Sequence, residues 1–262
     1  MSTTVLGGGN NNLTVYGNGT VTAGNGNNTI TVTGDGRVAV GSGANVVSVA
    51  GDATVTAGSG NDVISVGGNG NILVGGGSDS ISLQGSGSIL ETSFTGNDTI
   101  NLGSGSDTIG TLGKATVTGA FGSATVAGGL LTSAQLANGT HQVSALLGNA
   151  TLAGGAGPSE LVGGFGNDTM IGGTGHDTMV GGIGANVFEF LASAAGGNHV
   201  IDNFVSGHDQ LYIEGQSLAY LQSHGDVSTH GGSTYISLSD GTTIQLKGVT
   251  HLSGSDITTH KP

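Results

Sequence analysis

Gly58 to Val74 reads GSGNDVISVGGNGNILV, and the same 17-residue pattern is written from Gly7, Gly24, Gly41 and Gly75. Each copy opens on a glycine turn, runs a short strand, turns again on glycine and runs a second strand. In the Gly58 copy the first turn carries Asp62, the first strand Val63, Ile64 and Val66, and the second strand Ile72 and Val74. A chain that repeats itself at a fixed period buries its apolar residues by stacking each repeat on the last. One turn of a coil, repeated along an axis, is the simplest object that fits.

The five copies align without gaps, so their apolar positions form columns. Leu13, Ile30, Val47, Ile64 and Ile81 make one, flanked by Val15, Val32, Val49, Val66 and Leu83. Val21, Val38, Val55, Ile72 and Ile89 line the opposite strand. Thr or Ser alternates with these residues, the period-2 signal of a strand with one buried face. At about 4.8 Å per parallel strand, five turns rise roughly 24 Å. Composition forces the same conclusion. With 55 glycines, 4% aromatic and 8% charged residues, no globular core of large side chains is possible, whereas thin stacked layers are. Two prolines exclude collagen and Pro-rich linkers. A disordered Gly/Ser/Asn-rich segment would need no register between its apolar residues.

The net charge is −13 with only four Lys or Arg, which argues against nucleic acid and anionic membrane surfaces as partners. It also leaves clustered carboxylates without basic partners, so a cation has to come from outside. Cysteine is absent, which excludes a disulfide framework and Cys-based zinc or redox sites. No apolar run approaches membrane-spanning length, and MSTTVLGGG lacks the charged and apolar regions of a cleaved Sec signal.

The polar turn column reads Asn11, Asn28, Asn45, Asp62, Asp79. Amides at one-layer spacing can donate to one another as a neutral ladder. Stacked carboxylates repel unless a cation lies between them. The shorter half-turns carry Asn18, Asp35, Asp52 and Asn69, which fits turn chemistry, with Asp35 and Asp52 either sharing a cation or leaning on Arg37. Three segments follow: 1–90 in 17-residue turns, 91–190 in looser and nine-residue units, and 191–262; most of the aromatic residues lie from Phe188 onward. Residues 130–147 lack the glycine rhythm and read as an insertion, a short helix or hairpin. The last segment reads as antiparallel strands that cap the open end of the coil. The fold class is all-β, a parallel β-solenoid or β-roll with an antiparallel C-terminal cap.

The units GGFGNDTMI (163–171) and GGTGHDTMV (172–180) match the nonapeptide G-G-x-G-x-D-x-U-x. Glycines admit dihedrals that turn the loop carbonyls inward, and Asp supplies charge. Calcium takes six to eight hard oxygens, which two facing loops can provide. Two nonapeptides make one turn, so loops sharing an ion lie 18 residues apart, or 17 in the short turns. Asp62 then pairs with Asp79, and Asp79 with Asp98. Asp168 faces Asn186 and Asp177 faces Ser159, while Asp107 opposes Asp98. Gly163, Phe165, Gly172, Thr174, Gly181 and Ile183 are the main-chain candidates of the same loops.

These motifs, at 94–111 and 154–189, resemble the repeats-in-toxin (RTX) haemolysin-type calcium-binding proteins. HVIDNFVSGHDQLYIEG resembles the segment that follows the repeats there, which places Asp202 and Asp209 on positions that often bind further calcium. The resemblance implies a right-handed β-roll, export by a type I (ABC) secretion apparatus through an uncleaved C-terminal signal, and folding on calcium in the extracellular space or at the bacterial cell surface. The first half departs from it, with Asn in place of Asp, and is expected to fold without metal. No HExxH, GxSxG or cysteine is present, the eight histidines are scattered, and the repeats begin at Gly7, leaving no room for a preceding enzyme. The expectation is a non-catalytic secreted calcium-binding protein, structural or adhesive, engaging itself or a surface polysaccharide. Alternatives are a membrane-active effector, a non-catalytic module of a larger enzyme, and an ice-binding array on the column Thr14, Thr31, Ser48, Ser65, Ser82.

Overall fold

A computed structural model describes residues 2–261. The chain forms two compact units, one up to Leu131 and one from Thr132. This division differs from the changes of repeat length at 90 and 190.

The first unit is a parallel β-solenoid in the anticipated register. Strands Thr29–Val32, Val46–Val49, Val63–Val66, Ser80–Leu83 and Asn97–Leu102 stack on one side. Ile30, Val47, Ile64, Ile81 and Ile100 lie directly over one another, all buried. On the other side Gly19–Ala23, Gly36–Val40, Ala53–Thr56, Gly70–Val74 and Gly87–Glu91 stack Val21, Val38, Val55, Ile72 and Ile89. The coil is so tight at its corners that glycine is obligatory there. Gly60 has φ +126°, and a methyl group on it would collide with the Gly43 carbonyl one turn below.

The period loosens at Glu91 for a physical reason. Glu91 pairs with Val74 in an otherwise apolar column, yet it is buried. Its Oε1 accepts from Ser93 N at 2.7 Å, and Oε2 accepts from Leu112 N and Gly113 N at 2.7 Å each. A carboxylate with that many donors is stable out of water, and it anchors the widened turn.

The second unit is also a parallel solenoid with larger core residues. Leu152, Met170, Phe188 and Leu211 form one column, and Val143, Leu161, Met179 and Ile201 the other. The segment 130–147 is no insertion. Strands Ser123–Leu136 and His141–Ala145 run through it, with Leu131, Ala134, Leu136, Val143 and Ala145 buried. Alternation alone keeps it in register, and Gly139 (φ +141°) makes its corner. At the C-terminus Val227–His230, Ser233–Ser237 and Thr243–Leu246 form an antiparallel meander. Its last strand joins Asn198–Asp202 in parallel, and Ile257–Thr258 joins Gln210–Ile213 in parallel, so the cap grows out of the coil rather than standing apart. A helix, Leu218–His224, was not anticipated. Ser217 Oγ accepts from Tyr220 N at 3.3 Å, Gly225 ends it at φ +77°, and Leu218 and Leu221 are buried. Among the described residues no helix is long and apolar enough to cross a membrane.

The alternation can be tested at neighbouring residues. Ile64→Ala empties a buried layer and is expected to cost about 2–5 kcal/mol. Val63→Ala, on the half-exposed face of the same strand, should stay within about 0.5 kcal/mol. Equilibrium urea unfolding of the two variants checks the contrast.

Candidate metal centre

The polar column of the first unit begins as a neutral ladder. Asn28 Nδ2 donates to Gly24 O at 3.1 Å and Gly26 O at 2.9 Å in its own loop, and to Asn45 Oδ1 at 2.9 Å in the next. Asn45 Nδ2 repeats the pattern with Gly41 O at 3.1 Å, Gly43 O at 2.9 Å and Asp62 Oδ1 at 2.8 Å. The amide nitrogen thus sits among three oxygens contributed by two successive loops.

At Asp62 this chemistry inverts. Oδ1 still accepts from the turn below, but Oδ2 stands in place of the donating NH₂ and has no hydrogen-bond partner. Asp79 is the same: its Oδ1 accepts from Asp62 N at 2.8 Å and its Oδ2 is orphaned. Asp98 follows, accepting from Asp79 N at 2.9 Å. These three carboxylates form one buried ladder. Asp107 lies on the other side, stacked over Gly87, whose N donates to Oδ1 at 3.0 Å while Oδ2 is orphaned. A buried oxygen with no donor is strongly disfavoured as an anion. Burial accordingly raises the pKa of Asp62 and Asp107, and lifts Asp79 to about 7, helped by the charges of Asp98, Asp62 and Glu91. Asp98 rises to about 6 through burial and the Glu91 charge.

In the second unit Asp168, Asn186 and Asp209 form a second ladder. Ala150 N donates to Asp168 Oδ1 at 2.7 Å and Asp168 N to Asn186 Oδ1 at 3.0 Å. Asp168 Oδ2 is orphaned, and burial lifts its pKa to about 6. The loop is shaped around this oxygen: a methyl group on Gly163 would fall on Asp168 Oδ2 and lie 2.5 Å from Gly181 O. Charge-poor carbonyls, orphaned carboxylate oxygens and a glycine cradle are a hard-oxygen donor set, which fits calcium. Asn186 Nδ2 donates to Asp209 Oδ1 at 3.1 Å, as the first-unit amides do. Asp209 Oδ2 takes Val205 N at 2.8 Å, so this carboxylate is already satisfied.

The remaining candidates divide clearly. Asp177 is buried, registers with Ser159 on one side and neighbours His199 on the other. Gly172 packs against the His199 ring, and Thr174 N donates to Gly155 O at 3.0 Å. The Phe165 and Ile183 side chains point outward and are exposed, so only their main chain can contribute. Asp202 is half-buried, and Lys247 Nζ, 2.7 Å away, holds its carboxyl below the usual range. Asp35 and Asp52 accept from backbone N–H groups one turn above, at 3.0 and 2.7 Å, and neither pairs with Arg37 among the described residues. Sequence reasoning overlooked His141, fully buried with both ring nitrogens unpartnered and its pKa lowered by burial against the pull of Asp177. Counting back from Asp177 through Ser159 in 18-residue steps lands on it.

A family model of the RTX calcium-binding nonapeptide repeat matches four copies, at residues 47–81, 94–109, 145–179 and 153–188. No curated protein matches the chain. Among solved structures it is similar to the AlgE6R3 subunit of the Azotobacter vinelandii mannuronan C5-epimerase, at 25% identity and TM-score 0.37, over 46% of this chain and 78% of that one. It is also similar to the extracellular lipase LipA from Serratia marcescens, at 14% identity and TM-score 0.29, over 78% of this chain and 39% of the lipase.

Asp79→Asn restores an amide where the first turns have one. In chelator at pH 8 it is expected to stabilise the protein by about 1–3 kcal/mol, while calcium protects the variant less than the parent; thermal melts in EDTA and CaCl₂ check both. The sign of the pH dependence follows from the raised pKa values. An acid whose folded pKa lies above its unfolded value, about 4, folds better protonated. Without calcium, the contribution of Asp79, Asp98 and Asp168 is fully present below that unfolded value. It is lost as pH rises through about 6 and 7. Melting temperature in EDTA should therefore fall across this window, and saturating calcium should flatten the fall.

Proposed function

The chain is an RTX calcium-binding repeat protein, and from that premise we propose that it is exported by a type I (ABC) apparatus, folds on calcium outside the cell, and acts there as a structural or adhesive element rather than an enzyme. The observation that carries this reading is the switch from Asn45 to Asp62 within one ladder. Up to Asn45 the ladder closes with its own amide protons. From Asp62 onward it needs a counter-charge. Extracellular calcium modules work at about 10⁻⁴–10⁻³ M, a level met outside a cell and not within it, so the charged turns stay loose until export is complete.

Support for an adhesive surface lies on the outward face. Thr14, Thr31, Ser48, Ser65 and Ser82 are in direct register, one hydroxyl per turn. Such a row offers evenly spaced donors and acceptors to a second copy of the coil or to a surface polysaccharide.

Circular dichroism of the purified chain should show β-structure increasing on calcium addition, and electron microscopy should show calcium-triggered assembly. A spectrum and melting curve identical in EDTA and CaCl₂ would rule out calcium-driven folding. In a host carrying an ABC exporter, deletion of 191–262 should abolish release to the medium; undiminished release would remove the secretion reading.

A further inference from the structure

The turn that breaks the 17-residue period carries side chains that calcium does not use. The step along the carboxylate ladder is 17 residues from Asp62 to Asp79 and 19 from Asp79 to Asp98. The added length projects Phe94 at the tip of the widened turn, where it is 70% exposed. The tip is braced on either side of that ring. Ser93 Oγ lies 2.8 Å from Thr95 Oγ1, and Thr95 N donates to Ser93 Oγ at 3.2 Å.

Glu91 ties this turn to the next one. One of its oxygens accepts from Ser93 N, and the other from Leu112 N and Gly113 N, immediately before Lys114. A methyl group on Gly113 would lie 3.1 Å from Ser93 O, so the two turns are in close contact. A single buried carboxylate therefore fixes an aromatic ring and an ammonium group beside one another. Such preorganisation lowers the ordering cost for any ligand that uses both.

Phe94 and Lys114 line an open cavity of about 300 Å³ with Ser78, Gly96, Asn97 and Leu130. None of these is a carboxylate. Of the four basic residues, Lys247 pairs with Asp202 and Lys261 with Glu189, whereas Lys114 has no ion pair among the described residues. Lys114 registers with Asn97 in the turn below, and Asn97 N donates to Ser78 Oγ, one turn lower again, at 3.0 Å. Hydroxyl, amide and ammonium are thus spaced along the coil axis at about 4.8 Å per layer.

Each group selects a different part of a ligand. The flat apolar ring takes the C–H face of a sugar, the amide and hydroxyl take its hydroxyl groups, and the lysine takes a carboxylate as a point charge. An open cavity suits a segment of a longer chain passing across it, not a small molecule that has to be enclosed. We propose that Phe94, Asn97 and Lys114 form a binding site for an acidic saccharide, a chain of carboxylated sugars lying along the coil axis. This rests on the adhesive reading above and deepens it by naming the ligand class and a surface separate from the Thr/Ser row. The net charge of −13 opposes such a ligand at long range, and Asp79 and Asp98, next in sequence to Ser78 and Asn97, are buried, so binding is expected with calcium present.

The test uses the full chain in saturating CaCl₂, with circular dichroism reporting the fold separately. Isothermal titration calorimetry with trimers of glucuronate and of galacturonate should show binding that weakens as NaCl rises. The carboxyl methyl esters of the trimers should bind at least about tenfold more weakly. Phe94→Ala and Lys114→Gln should each lower affinity about tenfold. Arg37→Gln, which removes the same charge elsewhere, and Ser48→Ala, in the outward hydroxyl row, should stay within about twofold. No binding of either trimer, equal binding of the methyl esters, or a loss with Arg37→Gln or Ser48→Ala as large as with Phe94→Ala would each overturn the site. A chain that folds and assembles on calcium but binds neither trimer fails here alone and leaves the adhesive reading standing.

Discussion

A carboxylate removed from water and stacked one strand spacing from another must be neutralised. In this protein that requirement is met in several ways that can be compared side by side. Asn28 and Asn45 avoid the charge by carrying an amide. Glu91 surrounds its carboxylate oxygens with backbone donors. Asp209 draws on Asn186 and Val205. Asp62, Asp79 and Asp168 have no such donor for their second oxygen, which leaves at each a buried oxygen that the chain itself does not neutralise. The fold is otherwise indifferent to the choice, because strand register and apolar columns are the same above and below each rung.

Much of this was legible in the sequence because a solenoid turns period into geometry. Once Asp62 and Asp79 are 17 residues apart and the period is fixed, their stacking is arithmetic, and the 18-residue period of the nonapeptides likewise pairs Asp168 with Asn186. The apolar columns follow from the same count, with Ile64 over Val47 and under Ile81. What stayed hidden depends on side-chain direction or on breaks in the period. Residues 130–147 looked like an insertion because glycine is sparse there, yet apolar alternation alone held the strands in line. Asp202 fits its motif by position, but its ion pair is with Lys247, which lies 45 residues away in sequence. His141 and His199 were discounted as scattered although both fall on ladder positions, since a search for aspartate does not register a histidine.

The two units differ in how their cores are filled. The first uses thin β-branched layers, and the second thickens to Met170, Met179 and Phe188. Larger side chains bury more apolar area per turn, and they sit in the unit whose loops carry the nonapeptide sequences. The first three turns carry an amide ladder at the corresponding loop positions.

The ladder in the first unit also has a direction. Asn28 hands both its backbone and side-chain protons to Asn45, and Asn45 hands both of its own to Asp62. Each rung is thus completed by the rung after it, never by the one before. If the loop around Asp62 opens, Asn45 loses its acceptor first and Asn28 next, so the coil unravels like a zipper from its charged end toward the N-terminus. The Asn-laddered turns are self-sufficient in chemistry but not in mechanics: Asp62 is the stop that keeps the zipper closed.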